Sequence, residues 1–470
     1  MARKKYIAEN VTVLSFAHKG HCMGRDEQGQ IYLLENAVPG DVVHLDVRRK
    51  KKGLPYGRPK DFVTLSPFRT EARCDHFGEC GGCKWQNFAY DAQLEQKQLQ
   101  VENAVHRIGH LKNVLIEPIV PAPEIYYYRN KLEYSFSAQR WVTKSEAAKE
   151  GIIDKTDALG FHAPGVFDKV VQIETCHLQS EPTNAIRNAI YAYAKKNQLS
   201  FYHPRLNQGF LRNIIVRTAT TGEVMLTMVF GESDDPAIHA MMTFLKEQFP
   251  KVTTLLYFVN TKLNDTVFDL PVHVFEGRGF IYEMLGEVRY KIGPKSFFQT
   301  NPGQAKQLYD LIIDYADFKG DEIVYDLYTG VGSIGLYVAR SCKSVVGIEE
   351  IPQAIEDAIE NAQINQISNA RFLVGDVKDV LNPSFEQQYG KPDIIITDPP
   401  RVGMHKDVIN TILQLSAPTL IYISCNPATQ ARDFELLAHK YEVIKIRPVD
   451  MFPHTNHIES VALLRLKMKT

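Results

Sequence analysis

Residues 322–341, EIVYDLYTGVGSIGLYVARS, contain the pattern that indicates the fold of the last third of this chain. It begins with an apolar run typical of a buried strand, passes through a Gly-x-Gly-x-x-Gly spacing at 330–335, and ends in a helical pattern. Glycines at such a turn let the backbone approach a ligand closely. The stretch therefore predicts a strand, a tight loop and a helix of the kind that binds an adenosine-containing cofactor.

More apolar runs follow this stretch and alternate with helical patterns. The runs are SVVGIEE (344–350), ARFLVG (370–375), PDIIITD (392–398), TLIYISC (419–425), YEVIKIRP (441–448) and SVALLRL (460–466). This alternation predicts an α/β fold with a doubly wound parallel sheet, that is, a Rossmann-like domain. Ligands of such sheets bind at the carboxyl ends of the strands, so we expect the functional residues there.

Acidic residues at these strand ends indicate which cofactor binds. Glu349 ends the second strand, where a carboxylate can hold both ribose hydroxyls. Asp326 lies before the glycines, where it can pair with a cationic amino acid tail, and the fourth strand ends in Asp398-Pro-Pro. A carboxylate beside a pyrophosphate would repel it, so S-adenosylmethionine is favoured over a nicotinamide dinucleotide. Asp376 can contact the adenine edge or cap a helix.

A thiol and a carboxylate are also predicted at this edge. Cys425 stands in Ser424-Cys-Asn-Pro directly after the fifth strand, a position suited to a nucleophile, although a lone cysteine is more often a buried apolar residue. Glu459 precedes the last strand and follows His454 and His457. That setting makes Glu459 a candidate general base, whereas an isolated glutamate is usually a surface charge.

The amino-terminal region differs from the rest of the chain in charge. Residues 1–60 hold 12 Lys or Arg against 6 Asp or Glu, including the run 48–52, within a chain of 54 basic and 55 acidic residues. Short strand-like runs separated by Gly and Pro over residues 6–65 predict a small β-barrel of the OB-like kind. A basic barrel favours a polyanionic partner such as RNA, and a solvated charged loop is the alternative.

The remaining sequence predicts a larger globular protein of several domains. The 470 residues are 44% hydrophobic and 23% charged, which excludes a disordered or fibrous chain, and no apolar stretch is long enough to cross a bilayer. We expect a cytoplasmic protein. A helix is predicted at about 91–109, a proline-marked linker near 118–123, and a mixed α+β unit at about 125–292 that includes the helix TNAIRNAIYAYAKK.

Seven cysteines are too few to staple a chain of this size with disulfides, and three of them cluster. Cys74, Cys80 and Cys83 lie in a turn-rich segment, and Cys176 follows much later. Four thiolates suit either tetrahedral zinc or an iron-sulfur cluster, and their spacing does not separate the two.

Taken together, these motifs resemble the RNA (uracil-5-)-methyltransferases over nearly the whole chain. The basic barrel looks like their TRAM domain, and Phe298-Gln-Thr-Asn301 resembles their cofactor-site motif. Three further stretches are similar to their signatures: Asp398-Pro-Pro-Arg-Val-Gly403, Ser424-Cys-Asn-Pro427 and His454-x-x-His457-x-Glu459.

The resemblance implies a role for each site residue. Cys425 would be the nucleophile and Glu459 the base of a reaction that methylates C5 of uracil in RNA and gives 5-methyluridine. The implied S-adenosylmethionine-binding residues are Gln299, Tyr328, Ser333, Glu349, Asp376 and Asp398. Ser333 stands where family members have Asn or another small polar residue.

The resemblance also favours the ribosomal-RNA branch of the family, because that branch has this cysteine spacing. It implies a [4Fe-4S] cluster on Cys74, Cys80, Cys83 and Cys176, and large-subunit rRNA as the partner, with tRNA second. We expect a monomer. The predicted domains are the barrel (1–66), a central α+β domain carrying the cluster (67–90 and 125–293), and the catalytic domain (91–124 and 294–470).

Two rivals to this prediction remain open. An adenine amino-methyltransferase also carries Asp-Pro-Pro after the fourth strand, but it would need an aromatic residue at Arg401 and has no use for Cys425. The other rival is a catalytically inert RNA-binding iron-sulfur protein, which would not require a cofactor site, a thiol and a carboxylate together.

Overall fold

A computed structural model describes residues 5–17, 20–149, 151, 153–381 and 383–468. Its amino-terminal strands are β1 (Tyr6–Phe16), β2 (Cys22–Arg25), β3 (Ile31–Leu34), β4 (Val42–Lys51) and β5 (Leu54–Thr64). They form a closed barrel in the order β1-β2-β3-β5-β4, which confirms the predicted small barrel. Alternate residues of β4 point inward, so that Val43 and Leu45 are buried while the lysines and arginines at its end stay accessible.

The middle of the chain is an α+β unit, as predicted. Its strands are β7 (Lys131–Ser137), β8 (Ala158–His162), β9 (Val170–Gln172), β10 (Leu211–Thr218), β11 (Val224–Phe230), β12 (Thr254–Val259) and β13 (His273–Gly277). They form one sheet in the order β13-β12-β11-β10-β7-β8-β9. Its helices are α2 (Lys144–Ala147), α3 (Thr183–Lys196) and α4 (Asp235–Gln248), and α3 coincides with the predicted helix.

The carboxyl-terminal sheet has eight strands and is flanked by helices. Its strands are β6 (Leu115–Ile116), β16 (Ile323–Leu327), β17 (Ser344–Glu349), β18 (Ala370–Val374), β19 (Ile394–Thr397), β20 (Thr419–Ser424), β21 (Tyr441–Val449) and β22 (Glu459–Leu466). Its helices are α5 (Pro302–Ala316), α6 (Ser333–Val338), α7 (Pro352–Ile364), α8 (Val377–Val380), α9 (Pro383–Tyr389), α10 (Lys406–Leu415) and α11 (Pro427–Leu437). All seven apolar runs predicted from the sequence form strands of this sheet, in the order β18-β17-β16-β19-β20-β22-β21-β6.

The prediction of an all-parallel sheet was wrong for one strand. Strand β22 runs antiparallel to both of its neighbours, β20 and β21. Only residues 450–458 separate β21 from β22, and a parallel connection needs a dozen or more residues. The reversal has a functional consequence, because it brings Glu459, the first residue of β22, to the edge of the sheet where the parallel strands end.

A helix, a short strand and a β-hairpin from outside the carboxyl-terminal third pack against this sheet and its helices. Helix α1 (Tyr90–Arg107) packs on α11 and β21, and the short β6 pairs with β21. The hairpin β14 (Ile281–Leu285) and β15 (Val288–Ile292) buries Leu285 and Tyr290 in the same apolar cluster as α5 and β16. No helix in the described ranges is long and apolar enough to cross a membrane.

Candidate active site

The glycine loop after β16 adopts the conformation for which its glycines are needed. Gly330 and Gly332 both have positive φ angles, of 56° and 76°. A Cβ on Gly332 would lie 3.0 Å from the ring of Phe372 and 3.1 Å from the Cβ of Ala358. The loop is therefore pressed against α7 and β18 on one side, while Gly330 has no atom within 4 Å of the corresponding position and stays open to a ligand.

Two acidic residues organise this loop. Asp326 is 1% exposed, and its Oδ2 accepts hydrogen bonds from the Gly335 N–H (2.9 Å) and the Thr329 hydroxyl. Its other oxygen, Oδ1, is buried without a partner. Glu349 accepts a hydrogen bond from the Gly330 N–H at 3.1 Å and another from Ile351. Asp326 and Glu349 therefore hold the loop at Gly335 and at Gly330. Both carboxylates can also face a cationic or hydroxyl-bearing ligand.

Two of the other predicted cofactor residues, Tyr328 and Ser333, bound this loop, and Gln299 lies in the motif that precedes α5. Tyr328 has a φ of 65°, and burial together with the charge of Asp376 raises its pKa to about 12. The Ser333 hydroxyl accepts a hydrogen bond from Tyr309 at 3.1 Å. The Gln299 carbonyl accepts a hydrogen bond from the Asn130 side chain at 3.2 Å, which fixes the 298–301 motif beside the central domain.

Asp376 has a clear structural role in the chain. It is the N-cap of α8 and forms an ion pair of 2.5 Å with Lys378, and this hydrogen bond lowers the pKa of its carboxyl group. Of the two roles that the sequence left open for Asp376, its contacts in this structure are those of a helix cap.

Three carboxyl groups meet at the edge of the sheet, and their charges repel one another. Burial raises the pKa of Asp326 and of Asp398 to about 7, and for Asp398 the neighbouring charge of Asp326 adds to the effect. Burial and the charge of Asp398 raise the pKa of Glu459 well above its ordinary value. Buried carboxyl groups with raised pKa values favour a cationic ligand, since a positive charge would stabilise their ionised forms.

Cys425 lies at this acidic edge, at the end of β20 and just before α11. Its pKa is raised to about 11 by burial and then by the charges of Glu459 and Asp398, whereas a hydrogen bond and the positive charge of Arg401 lower it. The structure thus brings together the thiol and the carboxylate that were predicted 34 positions apart in sequence.

Arg401 was missed as a site residue by the sequence analysis. Its guanidinium lies 3.2 Å from His457 Nδ1, and its carbonyl accepts a hydrogen bond of 3.0 Å from Asn426. Burial and the charge of Arg401 lower the pKa of His457 to about 4, which keeps the imidazole neutral and able to accept from the guanidinium. The signal was present in the sequence, because Arg401 follows Asp398-Pro-Pro directly.

His454, unlike His457, is a structural residue. It is 3% exposed, and its carbonyl accepts from the Lys84 and Trp85 N–H groups at 2.8 and 3.1 Å. Its own N–H donates to Gln93 at 2.9 Å. His454 therefore connects the loop before β22 with α1 and with the segment that follows Cys83.

The four clustered cysteines line one cavity of about 390 Å³ at the central domain. Gln86 Nε2 lies 3.2 Å from the Cys83 sulfur, and the Gly82 N–H lies 3.4 Å from the Cys80 sulfur. Burial and the neighbouring thiols raise the pKa of Cys80 and of Cys83 to about 12. Within the described residues, no group of three or more His, Cys, Asp or Glu side chains is arranged to hold a metal ion.

The fold, together with the glycine loop and the acidic residues at the ends of the parallel strands, defines a class of protein, the S-adenosylmethionine-dependent methyltransferases. A profile of the family described as tRNA (Uracil-5-)-methyltransferase matches residues 170–467. The chain belongs to this family, and it is an RNA methyltransferase.

Individual relatives support the assignment. An uncharacterized RNA methyltransferase of Bacteroides thetaiotaomicron is 48% identical, over 92% of this chain and 95% of the relative. A second, from Porphyromonas gingivalis, is 43% identical over 96% of this chain and 98% of the relative. The crystal structure of Pyrococcus abyssi tRNA (uracil-54, C5)-methyltransferase with S-adenosyl-L-homocysteine superimposes with a TM-score of 0.74 at 28% identity, covering 97% of this chain and 100% of that one. The comparisons do not favour the adenine amino-methyltransferase or an inert binding protein.

Proposed function

We propose that this protein methylates C5 of a uridine in large-subunit ribosomal RNA, with Cys425 as nucleophile and Glu459 as base. The observation that carries the proposal is the register of β20 and β22: Ser424 pairs with Ser460, so Cys425 and Glu459 lie next to each other at the edge of the sheet. Position 5 of uracil is too weak a nucleophile to take a methyl group unaided. A neighbouring thiol can make C5 nucleophilic by adding to C6, and a neighbouring base can then remove the C5 proton.

The residues divide the reaction between them. The Cys425 thiolate adds to C6, the C5=C6 electron pair moves toward O4, and C5 becomes nucleophilic. When bound, S-adenosylmethionine supplies a methyl group on a cationic sulfur, and C5 accepts that group. Glu459 then removes the proton from C5, the double bond re-forms, and the C6–S bond breaks to release Cys425 as a thiolate.

Arg401 acts on both reacting groups. It opposes the rise in the pKa of Cys425 and the rise in the pKa of Glu459, and so favours the ionised form of each. The high pKa of Glu459 makes the ionised carboxylate a stronger base. We assign the cofactor to the loop with the orphaned Asp326 oxygen, held by Gln299, Tyr328, Ser333, Glu349, Asp376 and Asp398.

We assign RNA binding to the cleft between the barrel and the central domain. We take the barrel as a TRAM domain spanning 1–66. The central domain spans 67–90 and 125–293. The cleft has a volume of about 1080 Å³, and its basic lining residues include Arg49, Lys51, Arg58 and Lys84. The Lys51 ammonium group lies 4.8 Å from the centre of the Tyr56 ring. A positive charge for a phosphate and an aromatic ring for stacking with a base are therefore side by side. Such a surface suits a phosphate backbone with exposed bases. The catalytic domain at 91–124 and 294–470 would receive the target base.

Replacing Lys51 with alanine should weaken RNA binding in a salt-dependent way. Loss of one phosphate contact is expected to reduce the slope of log Kd against log salt concentration by about 0.7 to 0.9. Filter binding across a salt series measures this slope. Lys319→Ala, at an exposed lysine outside the cleft, is the control, and equal slopes for both variants would remove Lys51 from the RNA interface.

We further propose that Cys74, Cys80, Cys83 and Cys176 hold a [4Fe-4S] cluster. The four thiols line one cavity, and four cysteine ligands suit either a zinc ion or an iron-sulfur cluster; the resemblance of the cysteine spacing to the ribosomal-RNA branch of the family favours the cluster. Burial raises the pKa of Cys176, and the charges of Arg187 and Arg129 oppose that rise. The Nε atoms of both arginines are buried without a partner, which is consistent with an anionic group beside them.

Replacing Cys83 with serine should remove the cluster and lower the melting temperature. We expect iron and acid-labile sulfide to fall to background in anaerobically purified protein, with melting lower by several degrees because the loop 74–88 loses its anchor. Cys342→Ser, at a cysteine outside the cavity, should retain both. Wild-type protein that holds stoichiometric zinc and no sulfide would replace the iron-sulfur assignment with a zinc site.

The tRNA T-loop is the second candidate substrate, because the structural relative from Pyrococcus abyssi acts on uracil 54 of tRNA. Nucleoside mass spectrometry after parallel reactions on unmodified large-subunit rRNA and tRNA transcripts separates the two. We expect 5-methyluridine in the rRNA, located by fragment mapping. Product in the tRNA alone would overturn the choice of substrate while leaving the chemistry intact.

A further inference from the structure

A fully buried ion pair joins helix α1 to the segment that precedes the proposed base. Lys97 Nζ lies 2.5 Å from Asp450 Oδ1, and both side chains are 0% exposed. These residues are 353 positions apart in sequence. Isolated charges are costly to bury, so a pair this deep requires a reason beyond general stability.

The contacts of the pair show what it holds. Lys97 also donates to the Phe452 carbonyl at 3.1 Å, and the second Asp450 oxygen accepts from the Tyr90 hydroxyl at 2.8 Å. Asp450 and Phe452 both belong to residues 450–458, here called the base loop, which leads directly into Glu459. One lysine thus binds the base loop at two points, and Tyr90 holds the carboxylate from the same helix.

Other elements bind the base loop along its length. Gln304 and Asn301, at the start of α5, each donate a hydrogen bond of 2.9 Å, to the carbonyls of Asp450 and Met451. Tyr128 donates to the Pro453 carbonyl at 3.0 Å. Because α5 follows the 298–301 motif, the same loop is tied to the cofactor side of the pocket and to α1.

We propose that Lys97 and Asp450 are positioning residues that set the place of Glu459 and His457 in the active site. The ion pair fixes the base loop against α1, so that Glu459 enters the pocket at the required depth and His457 meets Arg401. This proposal rests on the role of Glu459 as the base that releases the RNA adduct.

The test distinguishes an effect on the position of Glu459 from an effect on the stability of the protein. Asp450→Asn leaves Lys97 charged and unpaired in the interior, and it should lower the melting temperature by at least about 5 °C. Lys97→Met combined with Asp450→Asn removes both charges and keeps a polar partner for Tyr90, so most of the melting temperature should return. The double variant should nevertheless lose roughly 10- to 100-fold in kcat, because a small displacement of a reacting group is costly.

The adduct identifies which step is slowed. With labelled S-adenosylmethionine, the double variant should accumulate a methylated, denaturant-resistant protein–RNA adduct, with a KM for RNA within about threefold of wild type. Asp41→Asn, which disrupts the 2.7 Å ion pair between Asp41 of the barrel and Arg69 of the segment that follows it, is the matched control and should lose stability without accumulating adduct. A stable double variant with wild-type kcat and no adduct would overturn the proposal. If Glu459→Gln also accumulates no adduct, the assignment of the base has failed instead.

Discussion

Cys425→Ala is expected to abolish 5-methyluridine formation, with a loss in kcat of at least about 10⁴-fold. Without the sulfur, no covalent bond forms at C6, and C5 stays too weak a nucleophile to accept the methyl group. Binding of S-adenosylmethionine and of RNA should change little, because the substitution removes a single sulfur atom. Single-turnover assays with labelled cofactor, together with separate binding measurements, check both statements.

Cys22→Ala provides the comparison for that result. Cys22 is buried in the barrel and donates a hydrogen bond to the Ala37 carbonyl, so its loss can affect stability but not bond formation. A Cys425→Ala enzyme with activity near that of wild type would rule out the covalent mechanism.

Glu459→Gln is expected to halt the reaction one step later. The thiolate can still add and C5 can still accept the methyl group, but the amide cannot remove the C5 proton. We expect turnover to fall by about 10² to 10⁴-fold while a methylated protein–RNA adduct accumulates. Denaturing gel electrophoresis with a labelled methyl group measures the adduct directly.

An exposed glutamate of α11 offers the control for this substitution. Glu435→Gln changes the same chemical group at the surface of the same domain and should leave both turnover and adduct level unaltered. If Glu459→Gln lost activity and formed no methylated adduct, Glu459 would be acting before methyl transfer and another group would have to serve as base.

Much of the fold was predictable because the responsible signals are local. Seven apolar runs became seven strands, and TNAIRNAIYAYAKK became α3 with the same limits, since both periodicities are set by near neighbours. The antiparallel direction of β22 was not predicted. That direction follows from the length of the base loop, and the alternation of strands and helices does not reveal it.

The sequence predicted which residues of the candidate site come together better than it predicted their contacts. Cys425, Glu459 and Asp398 meet at one sheet edge because strand ends gather there, a rule that the sequence pattern can apply. The ion pair of Lys97 with Asp450 carries no comparable signal, because nothing in an amphipathic helix marks one lysine as buried. Arg401 was partly predictable. It follows a recognised motif directly, but the sequence does not show that it contacts His457.

In the proposed reaction the methyl group replaces the hydrogen on C5 of uracil. RNA transcribed with uridine tritiated at C5 tests it directly, because tritium is released to water only if that bond breaks. We expect release that requires S-adenosylmethionine and equals the methyl groups incorporated, one for one. Methyl incorporation without tritium release would place the modification on another atom and contradict methylation at C5.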